Sequence, residues 1–407
     1  MLTTFRSLKH RKFSSLLAGQ TLSRLGDFLF QIAIVWWILE KTGSAAAMSA
    51  VMAFTVLPML LFVLVGGVVV DRMPRGLLLF LSDTSRCFIM VIGTWLAFTD
   101  QLTVWEIYVI ALLFGLADAF FMPAYTALIQ QIIPQDDLPS ANSINSLSMQ
   151  FGRIAGPALG GLIAGFGGTA AAFAINAVSF FIGAMTVVPL LSTPAPERQQ
   201  HDESTPQPLF ADLREGFQTI MASPILWITI LVAALINITL SGPYSVGMPF
   251  LVKEQIGGGE KMLGFLYSIF PIGYAIASLV MGNFQRLRYR GIIFYICGAI
   301  AGLGLGIFGL NVSIVILVIA ALFNGAALEI ENLVWTNLLQ ELVPPEKMGR
   351  VSSLDMLGSF VLLPIGFGFT GWLIDKVGVQ TVFIAAGGAT IILSLLTLLH
   401  PDIRKVD

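Results

Sequence analysis

Charge is the scarcest ingredient of this 407-residue chain: Asp, Glu, Lys and Arg together make up 11%, less than half of the roughly 25% usual in soluble proteins. Hydrophobic residues reach 56%, and mean hydropathy is +0.85. A single core cannot enclose that much apolar surface, so the remainder has to face lipid, and a soluble fold is excluded. Cysteine is nearly absent as well. Cys87 and Cys297 each stand alone in an apolar run, which excludes a disulfide framework or a thiolate metal centre; no metal and no cofactor are expected. A net charge of −2 leaves no basic footprint for nucleic acid. No G-x-x-x-x-G-K-[ST] string occurs, which argues against an ATP-driven pump. Neither a selectivity-filter string nor a soluble signalling domain supports a channel or a receptor, and the chain is not expected to be an enzyme.

What is present is a succession of apolar runs, each long enough, at about 20 residues, to cross a hydrocarbon core of about 30 Å. Twelve are expected: 13–40, 46–70, 77–99, 104–133, 140–166, 168–192, 225–252, 262–284, 291–309, 312–341, 349–374 and 378–400. Arg6, Lys9, Arg11 and Lys12 precede the first, but no small-residue cleavage site follows, so it reads as a retained helix and not as a signal peptide. With the amino terminus inside, only Lys41, Lys253, Lys261 and Lys376 fall in outer loops, whereas most of the 22 Lys and Arg fall on the inner side. That asymmetry puts both termini in the cytoplasm; the expected location is a bacterial-type inner membrane. Pro194, Pro196, Pro206 and Pro208 mark a linker, and Leu209, Phe210, Leu213, Phe217 and Ile220 then recur at helical spacing opposite Asp212, Arg214 and Glu215. The expected domains are a six-helix bundle at 1–192, a cytoplasmic linker with an interfacial amphipathic helix at 193–222, and a second six-helix bundle at 223–407.

The two bundles are copies. Shifting the chain by 210 residues lays Ala111, Leu112, Gly115, Ala117, Thr126, Leu128, Gln130, Pro134 and Ser143 on Ala321, Leu322, Gly325, Ala327, Thr336, Leu338, Gln340, Pro344 and Ser353, with Gly156 and Gly161 on Gly366 and Gly371. Apolar composition alone does not align Pro, Gln, Thr and Gly in one register. The expected fold is therefore an all-α membrane protein of twelve transmembrane helices in two parallel six-helix repeats. In such proteins one half rocks against the other about a midplane site, so transport by alternating access is implied.

After the second span comes Gly67-Val-Val-Val-Asp71-Arg72-Met-Pro-Arg75. Gly67 lets helices approach, Asp71 can face the positive end of a neighbouring helix, and Arg72 and Arg75 can pair with carboxylates, by topology Asp136 and Asp137. In the second half the pattern is degenerate: Gly282 is followed by Arg286 where the first half has Asp71. The fifth span carries Gly152-Arg153-Ile-Ala-Gly156-Pro157-Ala-Leu-Gly160-Gly161, in which Gly152, Gly156 and Gly160 share a face and Pro157 loosens the helix. The first string resembles the loop signature of the major facilitator superfamily. The second resembles the antiporter signature within it, although Ser143 stands where the fuller pattern has another glycine. Leu25-Gly26-Asp27, Thr42-Gly43-Ser44, Leu213-Arg214-Glu215-Gly216-Phe217 and Gly349-Arg350-Val351-Ser352-Ser353 narrow the resemblance to the drug:proton antiporter branch, over nearly the whole chain. It implies proton-coupled export of hydrophobic or amphipathic small molecules of macrolide or multidrug type; an exporter or flippase of one endogenous amphiphile, such as a siderophore or lysolipid, is the alternative. Protons, the lipid bilayer and a small amphipathic substrate are the implied partners, and a monomer is expected.

Ionisable groups inside a span are costly, so each is a functional candidate. Asp118 lies near the middle of the fourth span. Asp27 lies in the first, either as a coupling group or as the partner of Arg24 or Arg153. Glu329 and Glu331 in the tenth point nearly opposite ways at 100° per residue. The repeat offset lays Glu331 on the face of Asp118, which favours Glu331 for a cavity and Glu329 for an interhelical role. A cavity between the first, fourth, seventh and tenth spans, as the resemblance implies, would be lined by Gln31, Tyr125, Asn237, Tyr244, Asn332 and Trp335. Trp36 and Trp37 are either further lining residues or interface anchors.

Overall fold

Backbone polar groups find no partner in hydrocarbon, so apolar segments of this length satisfy them internally, as helix. The structure, a computed structural model, describes residues 3–192, 209–281, 287–344 and 347–406, and their side chains except at 3–4, 63–72 and 209–213. No strand occurs among the described residues. A short 3₁₀ helix, Thr3–Lys9, leads into α1 (Arg11–Thr42), followed by α2 (Ala45–Arg72), α3 (Arg75–Phe98), α4 (Val104–Ile132) and α5 (Leu138–Val187). Then come α6 (Leu209–Ala222), α7 (Pro224–Gly242), α8 (Met248–Leu251), α9 (Glu260–Met281), α10 (Arg290–Phe308) and α11 (Ile314–Leu342). The last are α12 (Met348–Phe360), α13 (Leu363–Val377), α14 (Val379–Thr397) and α15 (Pro401–Arg404).

The boundaries have local causes. Gly43, at φ +58°, closes α1 in the left-handed conformation and donates its N–H to Leu39 O, a cap that costs a residue without Cβ little. Thr103 and Glu106 form a capping box at the start of α4. A 50-residue helix such as α5 would reach about 75 Å, far beyond a bilayer core, and Gly168 at φ +69° breaks it. Among the described residues 11 helical stretches are long and apolar enough to cross a membrane. One of them, Gln135–Leu190, holds two spans divided at Gly168, giving the twelve expected. Two details differ from the expectation. The eleventh span is interrupted between α12 and α13, just before Pro364, where proline removes a backbone donor. The seventh runs on from α7 through π-helical turns at Pro243–Gly247 and Val252–Ile256. The expected linker residues 193–208 and the degenerate signature at Gly282 and Arg286 lie outside the described residues.

The chain divides into two compact units. The first holds Met1–Gly43, Ala50–Gln199 and Gly258–Ser268; the second holds Ser44–Ser49, Gln200–Gly257 and Ile269–Asp407. Phe13, Leu16, Leu79, Leu128 and Val187 pack in the core of the first, and Ile228, Phe294, Tyr295, Val334 and Leu338 in the second. Large apolar side chains such as Phe88, Phe98, Phe166 and Leu279 stand 69%, 82%, 80% and 76% exposed, which is tolerable only where lipid covers them. Because lipid tails are as apolar as leucine, close approach of small residues decides which helices meet. Each unit accordingly includes a short piece of the other repeat. In the first, the start of α9 lies on α5 at Gly264 and Gly161. In the second, Gly371 of α13 lies against Ala45 and Ser49 of α2, and Asp375 accepts hydrogen bonds from the N–H groups of Ala45 (3.1 Å) and Ala46 (3.3 Å).

The segments preceding α1 and α7 make equivalent ties of opposite sign. In the first unit Arg6, Lys9 and His10 surround Asp137, at 2.9, 2.9 and 2.8 Å; hydrogen bonds from His10 and Lys9 hold that carboxyl below the usual range. In the second, Glu215 of α6 binds Lys347 at 3.0 Å and also Arg350, and the hydrogen bond from Lys347 lowers it likewise. The offset of 210 residues relates Asp137 to Lys347.

Candidate functional site

Each unit contains a cavity with carboxylates in its wall. In the first unit a cavity of about 250 Å³ is lined by Asp27, Phe30 and Gln31 from α1, Thr55 from α2, and Phe114 and Asp118 from α4. Asp118 Oδ1 pairs with Arg86 Nη1 of α3 at 3.2 Å; the Asp118 side chain is 39% exposed, Arg86 only 3%. Aromatic faces hold the guanidinium, with the Phe121 and Phe180 centroids 4.4 and 5.3 Å away, and Arg86 Nη2 donates to Ser82 Oγ at 2.8 Å. Asp27 Oδ1 accepts a long hydrogen bond of 3.4 Å from Asn176 Nδ2. Deeper in α3, the fully buried Asp83 accepts a 2.7 Å hydrogen bond from Gln20.

In the second unit a cavity of about 280 Å³ is lined by Asn237 of α7, Glu331, Asn332 and Trp335 of α11, and Asp355 and Ser359 of α12. Trp335 Nε1 donates to Asp355 Oδ2 at 3.0 Å, Asn237 Nδ2 donates to Ser359 O at 3.0 Å, and Asn332 Nδ2 donates to Tyr274 Oη at 3.1 Å. Glu331 Oε2 is buried and has no hydrogen-bond partner among the described residues. No Lys or Arg contributes to this lining.

Asp27, Gln31 and Asp118 therefore meet at one cavity, and Asn237, Glu331, Asn332 and Trp335 at the other. Four expected residues lie elsewhere. Tyr125 is 1% exposed, stacked on Phe121 and donating to Asn145 Oδ1 at 2.9 Å. Tyr244 sits in a π-helical turn with its ring 5.3 Å from Phe270. Glu329 is 3% exposed and absent from the cavity lining, as the helical turn between it and Glu331 requires. Trp36 is 6% exposed, inside the first unit. Arg24 does not reach Asp27: it lies over the Tyr125 ring at 4.9 Å and donates to Asn145 Oδ1 and Ser148 Oγ. Arg153 is exposed.

The loop signature is arranged differently from the expected pairing. Arg75 Nη1 donates to Ala127 O at 2.9 Å, and Asp137 is taken by Arg6, Lys9 and His10, three donors that the segment before α1 carries to it. Asp136 is exposed. Gly67, Asp71 and Arg72 occupy the end of α2, but their side chains lie outside the described residues. The glycine–proline motif is a packing surface. A Cβ on Gly156 would lie 2.4 Å from Phe28 Cβ, and one on Gly160 would lie 2.6 Å from Leu29 O, both in α1; Gly152 faces Phe28 and Arg24 less tightly. Pro157 and Gly161 meet α9. Two of the short strings that carried the resemblance also touch, through Glu215 and Arg350. Sequence reasoning missed Asp83 and Asp355 and gave Arg86 no role.

The fold and its paired cavities define a multi-pass membrane transporter, and the likenesses to known proteins agree. The transmembrane secretion effector profile matches residues 2–407, and the chain belongs to that family of major facilitator transporters. It is 25% identical to macrolide efflux protein A of Streptococcus pyogenes over 398 residues, covering 97% of each chain. It is 28% identical to the enterobactin exporter EntS of Shigella boydii serotype 4 over 375 residues, covering 88% of this chain and 86% of that one. In fold it is similar to a bacterial homologue of the iron transporter ferroportin in its inward-facing state (TM-score 0.74, 15% identity, 95% and 98% covered). It is also similar to the nucleoside transporter NupG (TM-score 0.73, 14% identity, 97% and 100% covered).

Proposed function

We propose that this transporter is a proton-coupled exporter of hydrophobic or amphipathic small molecules, working by alternating access in a bacterial-type inner membrane as a monomer with both termini in the cytoplasm. The observation that carries the reading is that carboxylates line an otherwise largely apolar cavity in each unit, Asp27 and Asp118 in one, Glu331 and Asp355 in the other. A carboxyl in such surroundings exchanges a proton when water, a cation or an arginine reaches it. Trp335, Phe294 and Phe360 beside Glu331 and Asp355 suit an amphiphile that carries positive charge. The efflux relatives support the direction of transport. The likeness to an enterobactin exporter favours a second reading, export of one endogenous siderophore-like amphiphile with drug efflux incidental.

Inverted membrane vesicles loaded acid inside separate the two readings. Under the first, erythromycin and ethidium both accumulate, and a protonophore abolishes the uptake. Under the second, a catecholate siderophore accumulates and they do not. Full activity of Asp27→Asn, Asp118→Asn and Glu331→Gln, each tested singly, eliminates the assignment of coupling to these acids.

A further inference from the structure

The first unit contains a buried charged cluster that the cavity does not account for. Asp83 is 0% exposed, Arg86 3% and Gln20 1%. Gln20 Nε2 occupies Asp83 Oδ2 at 2.7 Å, whereas Asp83 Oδ1 has no hydrogen-bond partner among the described residues. Asp83 and Arg86 are three residues apart on α3 and so share one face of it. Arg86 in turn binds Asp118 at the cavity. The cluster runs inward from the cavity wall along the interior of the unit, toward the end at which α1 and α3 begin. By helical rise Asp83 is about 12 Å from the start of α3, and Gln20 about 14 Å from the start of α1.

Nothing in the fold demands these groups. The repeat offset of 210 residues lays Gln20, Asp83, Arg86 and Asp118 on Ile230, Ile293, Ile296 and Leu328. The second repeat carries apolar residues at these four offset positions, although Ile296 is 44% exposed where Arg86 is 3%, so the charges are a feature of the first repeat, and burying ions is costly. The first repeat also makes room for the charge. A Cβ on Gly183 would lie 3.1 Å from Asp83 Oδ2 and 2.6 Å from Ser23 Oγ.

We propose that Asp83 is a second proton acceptor, downstream of Asp118, and that Arg86 is the positioning residue that passes its charge compensation between them. The inference rests on the proton-coupled reading above. A proton arriving from the cavity binds the Asp118 carboxylate and neutralises it, which releases Arg86. The guanidinium then has the ionised Asp83 one helical turn away. When the proton passes from the Asp118 carboxyl to Asp83 Oδ1, Asp118 is again an anion and recovers Arg86. Before the proton enters, the Asp83–Arg86–Asp118 group carries one negative charge, which favours its capture; once the proton is bound, Arg86 has one carboxylate as its counterion at either position and the group is neutral. Gln20 holds Oδ2, so Oδ1 is the oxygen that takes the proton. The other groups around Asp83 are Ser23 of α1 and Gly183 of α5, with Cys87 on its own helix, and Asp27 beyond on α1; none adds a second cation.

The test compares two modes of erythromycin transport in proteoliposomes of the full chain: uptake driven by a pH gradient, and counterflow, in which labelled erythromycin exchanges against unlabelled without net proton movement. Asp83→Asn keeps the shape and the Gln20 contact but cannot carry the proton. Its gradient-driven uptake is lost while counterflow stays at the wild-type rate, and Arg86→Gln shifts the pH profile of uptake whereas Arg86→Lys restores it. Two results overturn the proposal: Asp83→Asn driven normally by the gradient, or Asp83→Asn deficient in both modes, which marks a merely structural residue. Failure of the wild type itself to respond to the gradient, with erythromycin and with a catecholate siderophore as the labelled substrate, removes the coupled-transport reading, and this inference with it.

Discussion

Alanine at Gly264 probes the close approach of α5 and α9. A Cβ there would lie 2.2 Å from Pro157 O and 3.0 Å from Gly161 Cα and N. The neighbours are backbone atoms, so no rotamer change can relieve the clash. A carbon–oxygen contact needs about 3.4 Å, so the two helices must part by about 1 Å. A gap of that size forfeits a quarter to a half of each dispersion contact along the junction. Overpacking of this kind costs about 1–3 kcal/mol, equivalent to about 5–150-fold in any equilibrium that makes or breaks the contact. Gly388 of α14 is the control, since nothing lies within 4 Å of its added Cβ; alanine there gains up to about 1 kcal/mol of helix propensity. Thermal unfolding of the purified protein in detergent reads the difference. Gly264→Ala melts below wild type and Gly388→Ala does not. Gly161→Ala, with its Cβ 2.4 Å from Glu260 O, opens the same gap, so the double variant costs less than the sum of the two. Equal melting of Gly264→Ala and Gly388→Ala would refute the close approach.

Two further outcomes follow from the helix ends and the pre-helix ties. Asp375→Asn replaces the charge that faces the amino terminus of α2 and destabilises the protein by about 0.3–1 kcal/mol, up to about 2 kcal/mol in a sheltered geometry; amide exchange at Ala45 and Ala46 rises accordingly. Asp137 and Glu215 both have lowered folded-state pKa values. Their stabilisation is therefore complete above the ordinary carboxylate range of about 4 and is lost as pH falls through the lowered values. Hydrogen exchange over 5–10 and 214–222 accelerates on acidification through that range, and Asp137→Asn and Glu215→Gln each abolish the pH step in their own segment.

The membrane spans were legible because hydrocarbon imposes one length on each, and the break at Gly168 falls at the expected boundary between 140–166 and 168–192. The interruption between α12 and α13 was not, since 360–367 is apolar on both sides of Pro364 and proline near a helix start is tolerated in lipid. Within the site, Glu331 and Asp118 were accessible to reasoning because mid-span charge is rare and the repeat register fixes a face. Arg86 was given no role, although it lies 11 residues into α3, and Asp355 was hidden among the serines and glycines entering α12. Helical spacing says which residues share a face, but not which neighbour meets it: topology favoured Asp136 or Asp137 as the partner of Arg75, and the segment before α1 reached Asp137 first.

The reversed polarity of the two pre-helix ties bears on how a duplicated chain assembles. Copies of one bundle, emerging one after the other into the same membrane, offer each leading segment two similar hairpins to grasp. Arg6 and Lys9 are attracted to Asp137 and repelled by Lys347 and Arg350, whereas Glu215 is attracted to that basic pair and repelled by Asp137. Each leader thus recognises its own copy by sign alone, and a swap between copies brings like charges together at both places.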